Sequence, residues 1–124
     1  MKILIVEDNL NACERYRSAL EATHEVLIAT SIYDARVLLK ALPDFDLIVL
    51  DGLVPLHKKK RSGKTFDMAC ELWWRYPHIV VVAASSDEEI NEELVDYCGA
   101  RHSIPNKSVV ALQALLATLA QTTK

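Results

Sequence analysis

Two runs, Leu47-Ile48-Val49-Leu50 and Ile79-Val80-Val81-Val82, are apolar at every position. A strand with one face in water alternates apolar and polar side chains, so a run without alternation requires cover on both faces. Related Val- and Ile-rich runs span Lys2–Val6, Glu25–Ala29, Asp46–Leu50, Ile79–Ala83 and, more weakly, Arg101–Ile104, with helically patterned segments between them. Strict β-α alternation with short connections predicts a parallel sheet with right-handed crossovers and helices on both sides. Five such units fit an α/β fold: a flavodoxin-like, doubly wound five-stranded parallel sheet of order 2-1-3-4-5 with five helices. The punctuation agrees. Ser31 with Asp34, and Ser86 with Glu89, have the spacing of a capping box, and Ser108 stands where the last helix, Val109–Gln121, needs a cap. Pro43 and Pro77 close two helical segments, and Gly99 ends the one that Ser86 begins.

With 124 residues, 51% of them hydrophobic and 25% charged, the chain reads as a single domain, 1–124, with a normal core. A net charge of -3 leaves no basic surplus, so no nucleic-acid partner is expected. The run His57-Lys58-Lys59-Lys60-Arg61 is a local exception, read as a solvated loop. Cys13, Cys70 and Cys98 are odd in number and lack CxxC spacing, which supports neither a disulfide framework nor a zinc site and suggests reduced, intracellular thiols. The opening apolar run Ile3–Val6 is too short for a signal-peptide core or a bilayer span, so a cytoplasmic protein without membrane contact is expected.

The acids then become informative. In a sheet of this order the ligand crevice lies at the carboxyl ends of the strands, between the first and the third. Glu7 and Asp8 follow the first strand and Asp51 follows the third, so the three carboxylates converge there. Unit charges about 4 Å apart near a protein surface interact by roughly 4 kcal/mol, so such a cluster calls for a hard cation. Magnesium, which takes oxygen ligands and keeps several waters, fits.

Ile3-Leu4-Ile5-Val6-Glu7-Asp8-Asn9, Asp46-Leu47-Ile48-Val49-Leu50-Asp51 and Pro55, four residues after Asp51, resemble the receiver domain of two-component response regulators, and the resemblance covers essentially the whole chain. It implies that Asp51 is the phosphoacceptor, served by a histidine kinase or histidine phosphotransfer protein. It further implies that Mg2+ is held by Glu7, Asp8, Asp51 and the backbone carbonyl of Leu53. The family has a Ser or Thr ending the fourth strand and a Lys near the end of the fifth. An ungapped match from Gly99-Ala100 puts Ala84 and Asn106 at those positions; sliding each by one puts Ser85 and Lys107 there, 22 positions apart. The second placement is preferred, because an acidic triplet without its cation partner is poorly compensated. Where the family carries an aromatic switch on the fifth strand, only His102 offers a flat ring. Between Asp51 and Gly63 the chain is about four residues longer than the family norm.

The resemblance implies a stand-alone signalling module that catalyses only its own phosphorylation and dephosphorylation, switching a surface for an unidentified output protein. The alternative is a degenerate receiver that serves as a phosphorylation-independent interaction module. A flavodoxin-like enzyme or nucleotide binder is a weaker rival, since no glycine-rich phosphate loop follows the first strand. Phe66, Cys70 and Trp73 share a helical stripe, with Trp74 beside it, and core packing is expected of them. The last helix is apolar through Val109, Val110, Leu112, Leu115, Leu116 and Leu119; most of that arc should pack on the sheet, and the rest would suit a partner or homodimer.

Overall fold

The computed structural model describes residues 1–122. In chain order the elements are β1 (Lys2–Val6), α1 (Leu10–Leu20), β2 (Glu25–Ala29), α2 (Ile32–Ala41), β3 (Leu47–Leu50), β4 (Leu53–Pro55), β5 (Ser62–Lys64), α3 (Phe66–Arg75), β6 (Val80–Ala83), α4 (Glu88–Tyr97), β7 (His102–Ser103), a 3-10 turn (Pro105–Lys107) and α5 (Val109–Thr122). The main sheet is parallel with order β2-β1-β3-β6-β7, the doubly wound order expected. β4 and β5 form a separate antiparallel hairpin, with Leu53 opposite Lys64 and Pro55 opposite Ser62.

Continuous apolar strands are explained by the two cores. Ile3, Ile5, Leu47, Val49 and Val82 point to one side, packing with Tyr16 and Leu20 of α1 and Leu112 and Leu116 of α5. Leu4, Val6, Ile48, Leu50, Val81 and Ala83 point to the other, against α2, α3 and α4. Alternate residues of one strand thus serve opposite cores, and burial of both faces drives the sheet to the centre. The carboxyl ends of β1, β3 and β6 lie level, Val6 beside Leu50 and Leu50 beside Ala83, so the residues that follow them share one rim.

Two local expectations give way. α4 is capped by Asp87, whose carboxylate accepts from the Glu89 and Ile90 amides, and not by Ser86, which is exposed. An aspartate at this end also meets the positive pole of the helix, which a serine does not. The stripe Phe66, Cys70, Trp73 is not the core face of α3 either. Met68, Ala69 and Leu72 are buried, Phe66 is half-buried, and Trp73 and Trp74 are 62% and 77% exposed. The helix meets the core along the small Ala69, permitting a close approach that an indole there would prevent. Ser31 accepts from the Asp34 amide and Ser108 from the Ala111 amide, as their spacing predicts. Gly99 has φ +84 and follows the C-cap of α4, the left-handed position where glycine costs least. In α5, Leu112 and Leu116 are buried while Val110 faces solvent. Among the described residues no helix is long and apolar enough to cross a membrane.

Candidate functional site

Parallel pairing delivers the acids to one place. The Asp51 amide donates to the Val6 carbonyl at 3.0 Å and the Ala84 amide to the Leu50 carbonyl at 2.9 Å, so the main-chain ladder continues past the strand ends into the site. Glu7, Asp8 and Asp51 then present oxygens that all lie within 4.8 Å of one another. Glu7 and Asp51 are buried, at 1% and 5% exposure. The chain after β1 turns at once into α1, with Asn9 capping the helix by accepting from the Ala12 amide. The Asn9 amide donates to Glu7 Oε2 at 3.2 Å and Cys13 Sγ to the Glu7 carbonyl at 3.3 Å, which fixes Glu7 beneath the helix start.

Of the two placements the sequence leaves for the lysine, Lys107 is the residue that reaches the acids. Its ammonium stands 2.7 Å from Glu7 Oε1 and 3.2 Å from Asp51 Oδ2, while Asn106 is exposed. In the turn before α5, Asn106 and Lys107 have φ of 49 and 55, a left-handed bend from which the Lys107 side chain returns to the acids. Left-handed backbone costs an L-residue about 1 to 2 kcal/mol, less for asparagine. Two successive positions therefore hold a strained conformation, and the carboxylates on the ammonium offset it.

At the end of β6, Ala84 is a core residue and Ser85 borders the site. A Cβ added to Gly52 would come within 2.2 Å of Ile90 Cγ2 and 3.0 Å of Ser85 Cβ, so the backbone just after Asp51 runs directly against Ser85. Only glycine permits that approach. The Ser85 hydroxyl accepts from the Asp87 amide at 3.1 Å. Asn91, fully buried on α4, accepts from the Ser85 amide at 2.8 Å and donates to the Ser85 carbonyl at 2.9 Å, clamping the loop to the helix that follows it. Nothing in the polar pattern Glu88-Glu89-Ile90-Asn91-Glu92-Glu93 separates Asn91 from a solvated face, and sequence reasoning missed it.

Sequence reasoning also missed the β4–β5 hairpin and the residue that closes it. Thr65 Oγ1 donates to the Asp51 carbonyl at 2.8 Å and the Thr65 amide to the Gly52 carbonyl at 3.0 Å, joining the two ends of the excursion beneath the hairpin. Ser62 on β5 donates to Asp8 Oδ2 at 3.2 Å. The basic tip leans on the start of α2: the Tyr33 amide donates to the Leu56 carbonyl, the Tyr33 and His57 rings lie 5.4 Å apart, and Lys58 approaches Asp34 at 3.9 Å. The Leu53 amide approaches Asp51 Oδ1 at 3.4 Å.

Electrostatics follow from burial. Removal from water, then the neighbouring Asp51 carboxyl, push the Glu7 carboxyl up to about 7, with Lys107 and the Asn9 amide pulling the other way. Burial opposes the charge on Lys107, but Glu7 and Asp51 outweigh it and its pKa rises. Tyr16 lies under the same cluster with its hydroxyl buried and unpartnered, and burial and the charges of Glu7 and Asp51 hold its phenol protonated. Glu7 Oε1 is likewise buried without an aligned hydrogen bond. An all-oxygen donor set, a free lone pair on Glu7 and crowded carboxylates suit magnesium. Magnesium and the Lys107 ammonium would compete for that one oxygen.

No protein-family model and no curated protein matches the sequence. Solved structures do match its fold. The receiver domain of NtrX from Brucella abortus superposes with a TM-score of 0.79 at 21% identity, covering 98% of this chain and 99% of that one. The signal receiver domain of an HD domain-containing protein from Pseudomonas fluorescens Pf-5 gives 0.76 at 18%, covering 97% and 91%. DrrB, an OmpR/PhoB homologue from Thermotoga maritima, gives 0.78 at 18%; the match takes in 99% of this chain and 54% of DrrB. The fold is that of a response-regulator receiver domain.

Proposed function

We propose that this receiver-fold domain is a phosphoacceptor of two-component signalling, taking a phosphoryl group on Asp51 from a histidine kinase or histidine phosphotransfer protein and passing the change to an output protein. The observation that carries this reading is the Lys107 ammonium lying 3.2 Å from Asp51 Oδ2 within a three-carboxylate cluster. A carboxylate is a modest nucleophile, so the transfer depends on position and charge more than on covalent machinery. One Asp51 oxygen forms the new O–P bond while the bond from phosphorus to the donor's nitrogen breaks and its electron pair leaves with the imidazole. Lys107 divides its charge between Asp51 and Glu7, which leaves its ammonium beside Asp51 to meet the incoming phosphoryl oxygens. Ser85, against the backbone of Gly52, supplies a hydroxyl at the same rim. Glu7, Asp8, Asp51 and the carbonyl of Leu53 would hold Mg2+, which when bound neutralises charge on the transferred oxygens.

Treating the protein with acetyl phosphate and magnesium should add one phosphoryl mass, in an amount that depends on magnesium and is abolished in Asp51→Asn. An intact, folded protein that gains no such mass and shows no magnesium-dependent spectral change lost in Asp51→Asn would overturn the reading in favour of a phosphorylation-independent interaction module.

A further inference from the structure

Away from the acidic crevice, α3 and the end of α4 border a groove of about 410 Å³ whose lining includes Cys70, Trp73, Trp74, Tyr97 and Cys98. The backbone here is pressed closely onto α3. A Cβ on Gly99 would come within 2.6 Å of the Trp73 ring, and Trp73 is one turn along α3 from Cys70. Cys98, the C-cap of α4, immediately precedes that glycine. Cys70 and Cys98 thus line the same groove from opposite elements, Cys70 on α3 and Cys98 at the end of α4. Cys70 is exposed and Cys98 buried.

We propose that Cys70 and Cys98 are a redox pair that closes to an intramolecular disulfide, tying the outer face of α3 to the carboxyl end of α4. Neither residue takes part in the acidic site, so the inference stands apart from phosphoryl chemistry. The division of labour follows from exposure. Cys70 is open to an oxidant, whereas Cys98 is buried, and burial first and the Cys70 thiol next push it up to about 11, so it is not the sulfur that is oxidised first. With a hydroperoxide as oxidant, the Cys70 thiolate attacks the peroxide oxygen, the O–O bond breaks, and the departing hydroxide takes up the proton from Cys70 to leave as water, giving a sulfenic acid. Cys98 then gives up its proton as its sulfur attacks the Cys70 sulfur; the S–S bond forms, the S–O bond breaks, and the departing hydroxide takes that proton to leave as a second water. Two thiols lose two electrons and the peroxide gains them.

Cys13 serves as the internal control, because it is buried on α1 with its sulfur donating to the Glu7 carbonyl. The fully reduced full-length chain, treated with stoichiometric hydrogen peroxide and measured without reductant, should lose two hydrogens, about 2 Da, and keep one titratable thiol. Peptide mapping should place the link between Cys70 and Cys98, and the tryptophan emission should shift and return with dithiothreitol. Cys13→Ser should behave in the same way with no thiol left, while Cys70→Ser, an exposed and conservative change, should lose the two-hydrogen product entirely. Addition of oxygen atoms without hydrogen loss, dimers linked through Cys70 with Cys98 still titratable, or a two-hydrogen product persisting in Cys70→Ser would each overturn the proposal.

Discussion

Between β1 and α1 the chain runs through only Glu7, Asp8 and Asn9, and none of them is idle, since two carboxylates face the crevice and the asparagine caps the helix. Between β3 and α3 it takes residues 51 to 65, opening with Asp51 and then making a hairpin whose tip carries Lys58, Lys59, Lys60 and Arg61. Both connections leave neighbouring strands of the same sheet and enter the same site. The short one has no freedom to vary without moving a carboxylate of the cluster. The long one confines its freedom to the hairpin, because Thr65 bonds the carbonyls of Asp51 and Gly52 and so closes the excursion at its base. Ser62 to Asp8 is the side-chain bond from the hairpin to the acidic cluster. Rigid geometry at Asp51 and a variable appendage beside it are thus compatible.

The largest expected effect tests the short connection. Glu7 titrates near 4.5 when unfolded and about 7 when folded, so the folded state holds its proton over that interval and the unfolded state does not. Stability should therefore fall by on the order of 2 to 3 kcal/mol as pH rises from about 5 to about 8, and Glu7→Gln should flatten the profile. Urea unfolding across that range decides it; an equally steep profile in Glu7→Gln would remove Glu7 as the cause. Next comes the base of the long connection. Thr65→Val keeps the shape but leaves the Asp51 carbonyl without its donor, and should cost about 1 to 3 kcal/mol in denaturant unfolding. A cost near zero would mean that the hairpin is not isolated from Asp51. Magnesium at about ten times its dissociation constant should stabilise the fold by about 1.4 kcal/mol, with Asp8→Asn losing most of this. Its affinity should rise with pH through the Glu7 titration, since ligands bind deprotonated. The smallest effect belongs to the hairpin tip: replacing Lys58, Lys59 and Lys60 by serine should shift stability by no more than about 0.5 kcal/mol. A larger loss would erase the contrast between the two connections.

The sheet was legible because burial on both faces leaves a mark that survives without context: Leu47–Leu50 and Val80–Ala83 are apolar throughout. The acidic triplet was legible because strand order alone brings Glu7, Asp8 and Asp51 to one rim. What escaped depends on contacts between residues far apart in the chain. Leu53–Pro55 and Ser62–Lys64 carry little strand propensity, and their pairing rests on the scaffold beneath them. Asn91 resembles its acidic neighbours until its amide meets the backbone of Ser85. The α3 stripe was misread because Trp and Cys outrank Ala in hydrophobicity, whereas the sheet selected the small Ala69 for close approach. Ser86 and Asp87 were both competent caps, and the helix pole favoured the charged one.

The turn at Asn106 and Lys107 bears on how the cation of the site is placed. Two successive left-handed residues carry the ammonium back to Asp51, so the reach of Lys107 is set by the backbone bend as much as by its place in the sequence. The condition is that a residue tolerant of that bend, such as Asn, Asp or Gly, stands where Asn106 does. The acidic side of the crevice has no such bend: its carboxylates follow their strands directly, so strand ends place the acids and a turn places the lysine.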